Sequence, residues 1–136
     1  MGAVRVKVKL SNAADEHQFQ SGQLALEQVR TLETDALVDT GAVTTIIPDD
    51  VRQQLGLLSR GQRVARYADG RRETVDITEP LIIQIGDREA SDDALVLGDE
   101  VLIGQTVLEK MDLHVDCNNQ KLTPNPKFPD YPVIRV

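Results

Sequence analysis

The strictest pattern in the chain lies at its start, where Val4, Val6, Val8 and Leu10 alternate with Arg5, Lys7 and Lys9. A period of two puts the apolar set on one face and predicts a half-buried strand. Ser11 to Gly22 is polar and without period, and an irregular segment is expected there; Leu24 to Thr31 reads as a second strand. Ala36-Leu37-Val38 and Val43-Thr44-Thr45-Ile46-Ile47 are β-rich and barely alternate, so they predict two largely buried strands joined by the loop between them. Pro48 with Asp49 and Asp50 opens a short helix that Gly56 closes.

Asp69-Gly70 stands between Arg63-Val64-Ala65-Arg66-Tyr67 and Glu73-Thr74-Val75-Asp76-Ile77, the clearest hairpin signal in the sequence. Both arms mix polar and apolar residues, which predicts a hairpin that projects from the body. Leu81 to Ile85 and Ala94 to Leu97 are further strands, connected through Gly86-Asp87-Arg88. Val101 to Gly104 ends a strand, and Val107, Leu108 and Met111 are spaced for a short helix. Leu113 to Cys117 and Lys121-Leu122 predict a second hairpin. Pro124, Pro126, Pro129 and Pro132 then exclude helix and central strand from a tail over residues 123–136, expected to run extended with Val133 to Val136 tied down by its own body or by a second subunit. Eight or nine short strands and two short helices make a mainly β chain, read as one domain over residues 1–136.

Composition narrows the function classes. The chain has 136 residues and a net charge of −7, with its basic residues scattered rather than gathered with aromatics, so nucleic acid is not an expected partner. His17 and His114 are far apart and lack neighbours at ligand spacing; neither a metal nor another cofactor is expected. A single cysteine, Cys117, cannot form an internal disulfide and is expected as a small packed residue at a strand end, in keeping with a reducing, cytoplasmic setting. No apolar run suggests a signal peptide or a membrane span.

One tripeptide states a chemistry. Asp39-Thr40-Gly41 follows an apolar strand and leads into Ala42. Asp-x-Gly is also ordinary turn chemistry, in which Asp caps its own backbone and Gly supplies positive φ, but a plain surface turn would join alternating strands rather than two apolar ones.

The sequence from about Leu24 to Leu122 resembles the retropepsins, the retroviral-type aspartic proteases, and among them the small bacterial single-domain proteins. The resemblance rests on Leu37-Val38-Asp39-Thr40-Gly41-Ala42, on Leu102-Ile103-Gly104 before a short helix, and on the hairpin between them. It implies a closed or partly open β-barrel of the acid-protease type with one or two short helices and a psi-loop catalytic site. It also implies an aspartic-type endopeptidase that works as a homodimer on an extended peptide or protein substrate, with Asp39 of each subunit as the catalytic pair. Thr40 would bond across the two-fold axis, Gly41 would present its N–H to the carboxylate, and Ala42 would leave room beneath the pair. Leu102, Ile103 and Gly104 would support the loop. Tyr67, Ala68, Asp69, Gly70 and Arg71 would form a flap over substrate. With two Phe, two Tyr and no Trp in the chain, aliphatic side-chain pockets are expected. Val4 to Leu10 or Val133 to Val136 are the expected interface strands. Two departures stand out: a single Gly at the flap tip and the Pro-rich tail. The competing reading is a catalytically silent dimer of the same fold that binds peptides or proteins.

Overall fold

The computed structural model describes residues 3–136. The alternating start of the chain forms β1 (Arg5–Asn12), which pairs antiparallel with β2 (Thr31–Val38) from Arg5↔Leu37 to Ser11↔Thr31. Val4, Val8 and Leu10 are buried while Arg5, Lys7 and Lys9 are exposed, as the period of two requires. Between these strands lies α1 (Ala13–Gln20), where an irregular segment was expected. This helix has no apolar stripe. It is started instead by Asn12, whose side chain accepts the Asp15 N–H at 3.0 Å, with Asp15 and Glu16 in the first turn. Leu24 to Thr31 is not a strand: Leu26–Gln28 is a single 3-10 turn, and β2 begins only at Thr31.

Past residues 39–44 come β3 (Thr45–Ile47), then α2 (Asp49–Leu55), whose C-terminus is capped by Gly56 at φ 64°. The hairpin is present as β4 (Ser59–Arg66) and β5 (Arg72–Thr78). β6 (Leu81–Ile85) is followed by β7 (Arg88–Asp92), a strand where only a connection was expected. Its inward positions hold Arg88 and Asp92 beside Ala90, so polar residues occupy the places that an apolar alternation would mark. β8 (Ala94–Val96), β9 (Val101–Ile103) and α3 (Gln105–Met111) complete the body. β10 (Leu113–Asp116) and β11 (Lys121–Pro124) form a separate two-stranded sheet.

The described residues thus contain three α-helices, one more than the upper expectation of two. The main sheet has nine strands in the order β4-β5-β8-β3-β9-β2-β1-β6-β7. Its buried side packs Leu10, Ile47, Ile83 and Ile103 against Leu55 of α2 and Val107 and Met111 of α3, all fully excluded from solvent. Each such side chain contributes about 1.5–3 kcal/mol by leaving water. The two apolar helices are therefore held by their contact with the sheet more than by their own length.

One further expectation is corrected. Cys117 is exposed, because it falls in the turn after β10 rather than at a packed strand position. The tail begins as strand, since β11 reaches Pro124 at the edge of a two-stranded ladder where a missing N–H does little harm. Beyond it the tail is pinned from within the body: the buried Arg88 donates to the carbonyls of Met111, Asp112, Phe128 and Pro129 at 2.8–3.3 Å. Asp112 accepts from Asn125 Nδ2 and from the Val133 N–H. Ile134 and Val136 remain exposed.

Candidate active site

Asp39 sits where β2 ends, on the turn that carries the chain toward β3. Its Oδ1 accepts the Gly41 N–H at 2.9 Å, and its carbonyl accepts the Ala42 N–H at 3.1 Å. The carboxylate is thereby fixed by its own loop, with one oxygen engaged and the side chain half-buried. Gly41 is not among the glycines with positive φ. Its lack of a side chain matters for another reason: a Cβ there would stand 3.2 Å from Asp39 Oδ1, tighter than ordinary contact. Thr40 and Gly41 are exposed and Ala42 is half-buried.

Leu102, Ile103 and Gly104 lie directly against this loop. β9 runs parallel to β2, with Leu37↔Leu102 and Val38↔Ile103, and antiparallel to β3 through Ile46↔Leu102. It therefore occupies the space between the two strands that the Asp39 loop connects. The Ile103 carbonyl accepts the Asp39 N–H at 2.9 Å, and the Ala42 carbonyl accepts the Gln105 N–H at 2.8 Å. A Cβ on Gly104 would meet the carbonyl oxygens of Thr44 at 2.7 Å and Ala42 at 2.8 Å, so only glycine fits. A strand-and-helix unit more than sixty residues downstream of Asp39 thus grips the backbone on both sides of it.

No local motif marks the third support. Asp92, at the end of β7, accepts from the Thr45 N–H at 3.2 Å, Thr45 Oγ1 at 2.9 Å and Thr44 Oγ1 at 3.3 Å. It ties down the start of β3 just where the chain leaves the Asp39 loop. Asp92 is not singled out in the sequence, because its role depends on β7 bringing it to Thr45.

Tyr67, Ala68, Asp69, Gly70 and Arg71 form the tip of the β4–β5 hairpin. The Tyr67 N–H donates to the Arg71 carbonyl at 2.8 Å and the Gly70 N–H to the Tyr67 carbonyl at 3.0 Å, with Gly70 at φ 90°. This is a three-residue loop closed by a glycine bulge. Asp69 accepts from the Arg71 N–H and guanidinium, which hold its carboxyl below the usual range. The Tyr67 hydroxyl donates to Glu73 at 2.5 Å, which pushes its ionisation up, and Arg71 stacks 4.5 Å above the Tyr67 ring. Among the described residues, no hydrogen bond joins this tip to residues 39–44. The hairpin is held to the sheet at its base, by Ile77↔Leu95.

Among the described residues no group of three His, Cys, Asp or Glu side chains is placed to hold a metal ion. No helix of the described residues is long and apolar enough to cross a membrane.

A sequence model of the family described as "gag-polyprotein putative aspartyl protease" matches residues 27–110. That span takes in the Asp39 loop, the hairpin and Leu102-Ile103-Gly104. No curated protein matches the chain. Among solved structures, the solution structure of Simian Foamy Virus (mac) protease is similar with a TM-score of 0.48 and 13% sequence identity, over 76% of this chain and 90% of that one.

Proposed function

The chain belongs to the gag-polyprotein aspartyl protease family, and from that premise we propose that it is an aspartic-type endopeptidase that hydrolyses peptide bonds as a homodimer. The observation that carries this reading is the Asp39 loop itself, with the carboxylate set by the Gly41 N–H and the loop backbone gripped by β9 and Gly104. A fixed carboxylate with exposed loop neighbours is suited to meeting a second copy of itself.

Amide hydrolysis needs a base to activate water and an acid to protonate the carbonyl oxygen and later the nitrogen. Two carboxyls held together do both, because close like charges cannot both ionise and one proton is shared. In the proposed dimer the pair is Asp39 from each subunit, and its titration belongs to the pair rather than to either copy. Thr40, exposed and free of side-chain bonds within its own chain among the described residues, bonds across the two-fold axis and keeps the two loops coplanar. Ala42 leaves room beneath them. Tyr67 to Arg71 act as a flap, and substrate lies extended beneath it, paired to backbone like an added strand. A twisted sheet of nine strands tends to curl, which favours the partly open acid-protease barrel. From Lys9 onward β1 is paired on both sides, by β2 and β6, so of the two expected interface segments it is residues 4–8 and the exposed end at Val133 to Val136 that keep backbone to offer.

The test is to incubate the protein and its Asp39→Asn variant with a peptide library across pH and to sequence the new ends by mass spectrometry. Cleavage that is best below neutral pH and absent from Asp39→Asn is expected. Equal cleavage by both removes Asp39 from the chemistry, whereas silence from both with a stable dimer favours the binding module. For the dimer, sedimentation of Thr40→Ala is expected to show weakened association; an unchanged, tight dimer would remove Thr40 from the interface.

A further inference from the structure

The β4–β5 hairpin carries a charge pattern that a protease flap does not require. Five of the ten arginines of a chain with net charge −7 fall in it: Arg60, Arg63, Arg66, Arg71 and Arg72. Arg66 and Arg72 are directly opposite one another in the ladder. Since Tyr67 and Arg71 form the hydrogen-bonded pair next to them, Arg66 and Arg72 are a non-hydrogen-bonded pair, the kind whose Cα atoms approach to about 4.5 Å and whose side chains are closest. Like charges at such a position oppose pairing.

Among the described residues no ion pair offsets them. The acids near the tip are already engaged, Asp69 with Arg71 and Glu73 with the Tyr67 hydroxyl. The next pair on the same face is Val64↔Thr74, and only beyond it comes Gln62↔Asp76. Both guanidiniums are exposed, and neither takes part in the four ion pairs of the described residues. Two planar guanidinium forks carried at facing ladder positions suit one anionic group, each offering paired N–H donors to its oxygens. β4 is moreover an outer strand of the sheet, with a free backbone edge on which an extended peptide can be laid.

Resting on the protease reading, we propose that this hairpin selects acidic substrates: Arg66 and Arg72 together clasp one carboxylate, or a phosphate in its place, on an extended peptide segment. The substrate class is thus a protein segment that carries an acidic or phosphorylated residue.

The binding test uses the full-length Asp39→Asn protein, so that affinity is read without turnover. The probes are fluorescein-labelled extended peptides with an aliphatic background and one central Glu, Gln or phosphoserine, and a single-stranded DNA oligonucleotide as a competing polyanion. The Glu peptide is expected to bind about tenfold more tightly than the Gln peptide at low salt. That preference should shrink at ~150 mM salt and vanish in both Arg66→Gln and Arg72→Gln. A further gain with phosphoserine names phosphate as the preferred group, while equality with Glu names the carboxylate. Equal affinity for Glu and Gln peptides, a Glu preference that survives both substitutions, or tighter binding of the oligonucleotide than of any peptide overturns the proposal. Cutting of the Glu and Gln peptides at equal rates by the unsubstituted protein, with equal affinity, defeats the clasp and leaves the protease intact. A retained Glu preference with no cutting at any pH defeats the protease and leaves the clasp.

Discussion

Gly104 lies so close to Thr44 that a Cβ on it would stand 2.7 Å from the Thr44 carbonyl oxygen. The second obstacle, the Ala42 carbonyl at 2.8 Å, is backbone too, so neither can swing aside as a side chain would. The Asp39 loop and the end of β9 are in this way a single packed unit, and its tolerance is less than a methyl group.

Gly104→Ala is therefore expected to cost about 1–3 kcal/mol, the usual range for an added methylene in a tight site. Because the displaced backbone is that of the Asp39 loop, the proposed peptide cleavage should fall further than the folded fraction does. Denaturant midpoints and cleavage rates on the same samples check this; unchanged values for both would mean that the loop can yield after all.

Asp92 accepts from the Thr45 N–H and Oγ1 and shares the one Thr44 hydroxyl proton with the carbonyl oxygen of the neighbouring Asp93, which offers these residues only that oxygen as an acceptor. Asp92→Ala should destabilise by about 1–3 kcal/mol through the donors it leaves unsatisfied. It should also lower kcat with little change in KM, since it positions the loop and touches no substrate. Asp93→Ala is the matched control and should be close to neutral. If the two substitutions behave alike, the brace at β3 has no role.

Arg88 is buried and donates to four carbonyls, two at the end of α3 and two in the tail. Arg88→Met keeps much of the volume and removes every bond. A loss of about 2–4 kcal/mol is expected, with residues 125–136 becoming the first site of limited proteolysis. A tail that stays as resistant as before would show that Asp112 alone holds it.

Asp15 accepts three bonds from Arg30, from its N–H at 3.0 Å, Nε at 2.8 Å and Nη2 at 3.0 Å. The guanidinium bonds hold the buried carboxyl below its ordinary value of 3.8, against the opposing effect of desolvation. A depressed native pKa adds stability that is full above the unfolded value and lost as pH falls through the native one. Stability should consequently drop with acid below about pH 5, and more gently in Asp15→Asn, which should cost about 1–2 kcal/mol at neutral pH. Parallel acid limbs in the two proteins would assign the acid loss to other carboxylates. Gly56→Ala bears on the same pair, because its Cβ would fall within 1.8 Å of Arg30 Nη1 and displace the guanidinium. A double-mutant cycle with Asp15→Asn should thus be non-additive.

How much of this was legible depended on where each signal sits. The hairpin could be read because Asp69-Gly70 and its flanking strands are contiguous, and α2 and α3 because their caps and apolar spacing are local. The start of α1 is also written locally, in Asn12 with Asp15 behind it, but the absence of an apolar stripe hid the helix that follows. β7 was hidden for the opposite reason, since the residues it turns inward, Arg88 and Asp92, are of types that ordinarily face water. Cys117 was misplaced because β10 ends one residue earlier than expected, at Asp116, which leaves the cysteine in the turn.

By itself the sequence determined the elements whose causes are local: the strand periodicity of β1, the hairpin, the apolar run into Asp39-Thr40-Gly41, and the glycine that ends Leu102-Ile103-Gly104. Only the tertiary structure decided that β9 threads between β2 and β3, that Gly104 closes on the carbonyls of Ala42 and Thr44, that Asp92 reaches Thr45, and that Arg66 faces Arg72 across a ladder. The physical reason is that propensity and turn chemistry act over a few residues. Strand partners and buried polar contacts tens of residues apart are instead chosen by which packing leaves the fewest voids and unpaired groups.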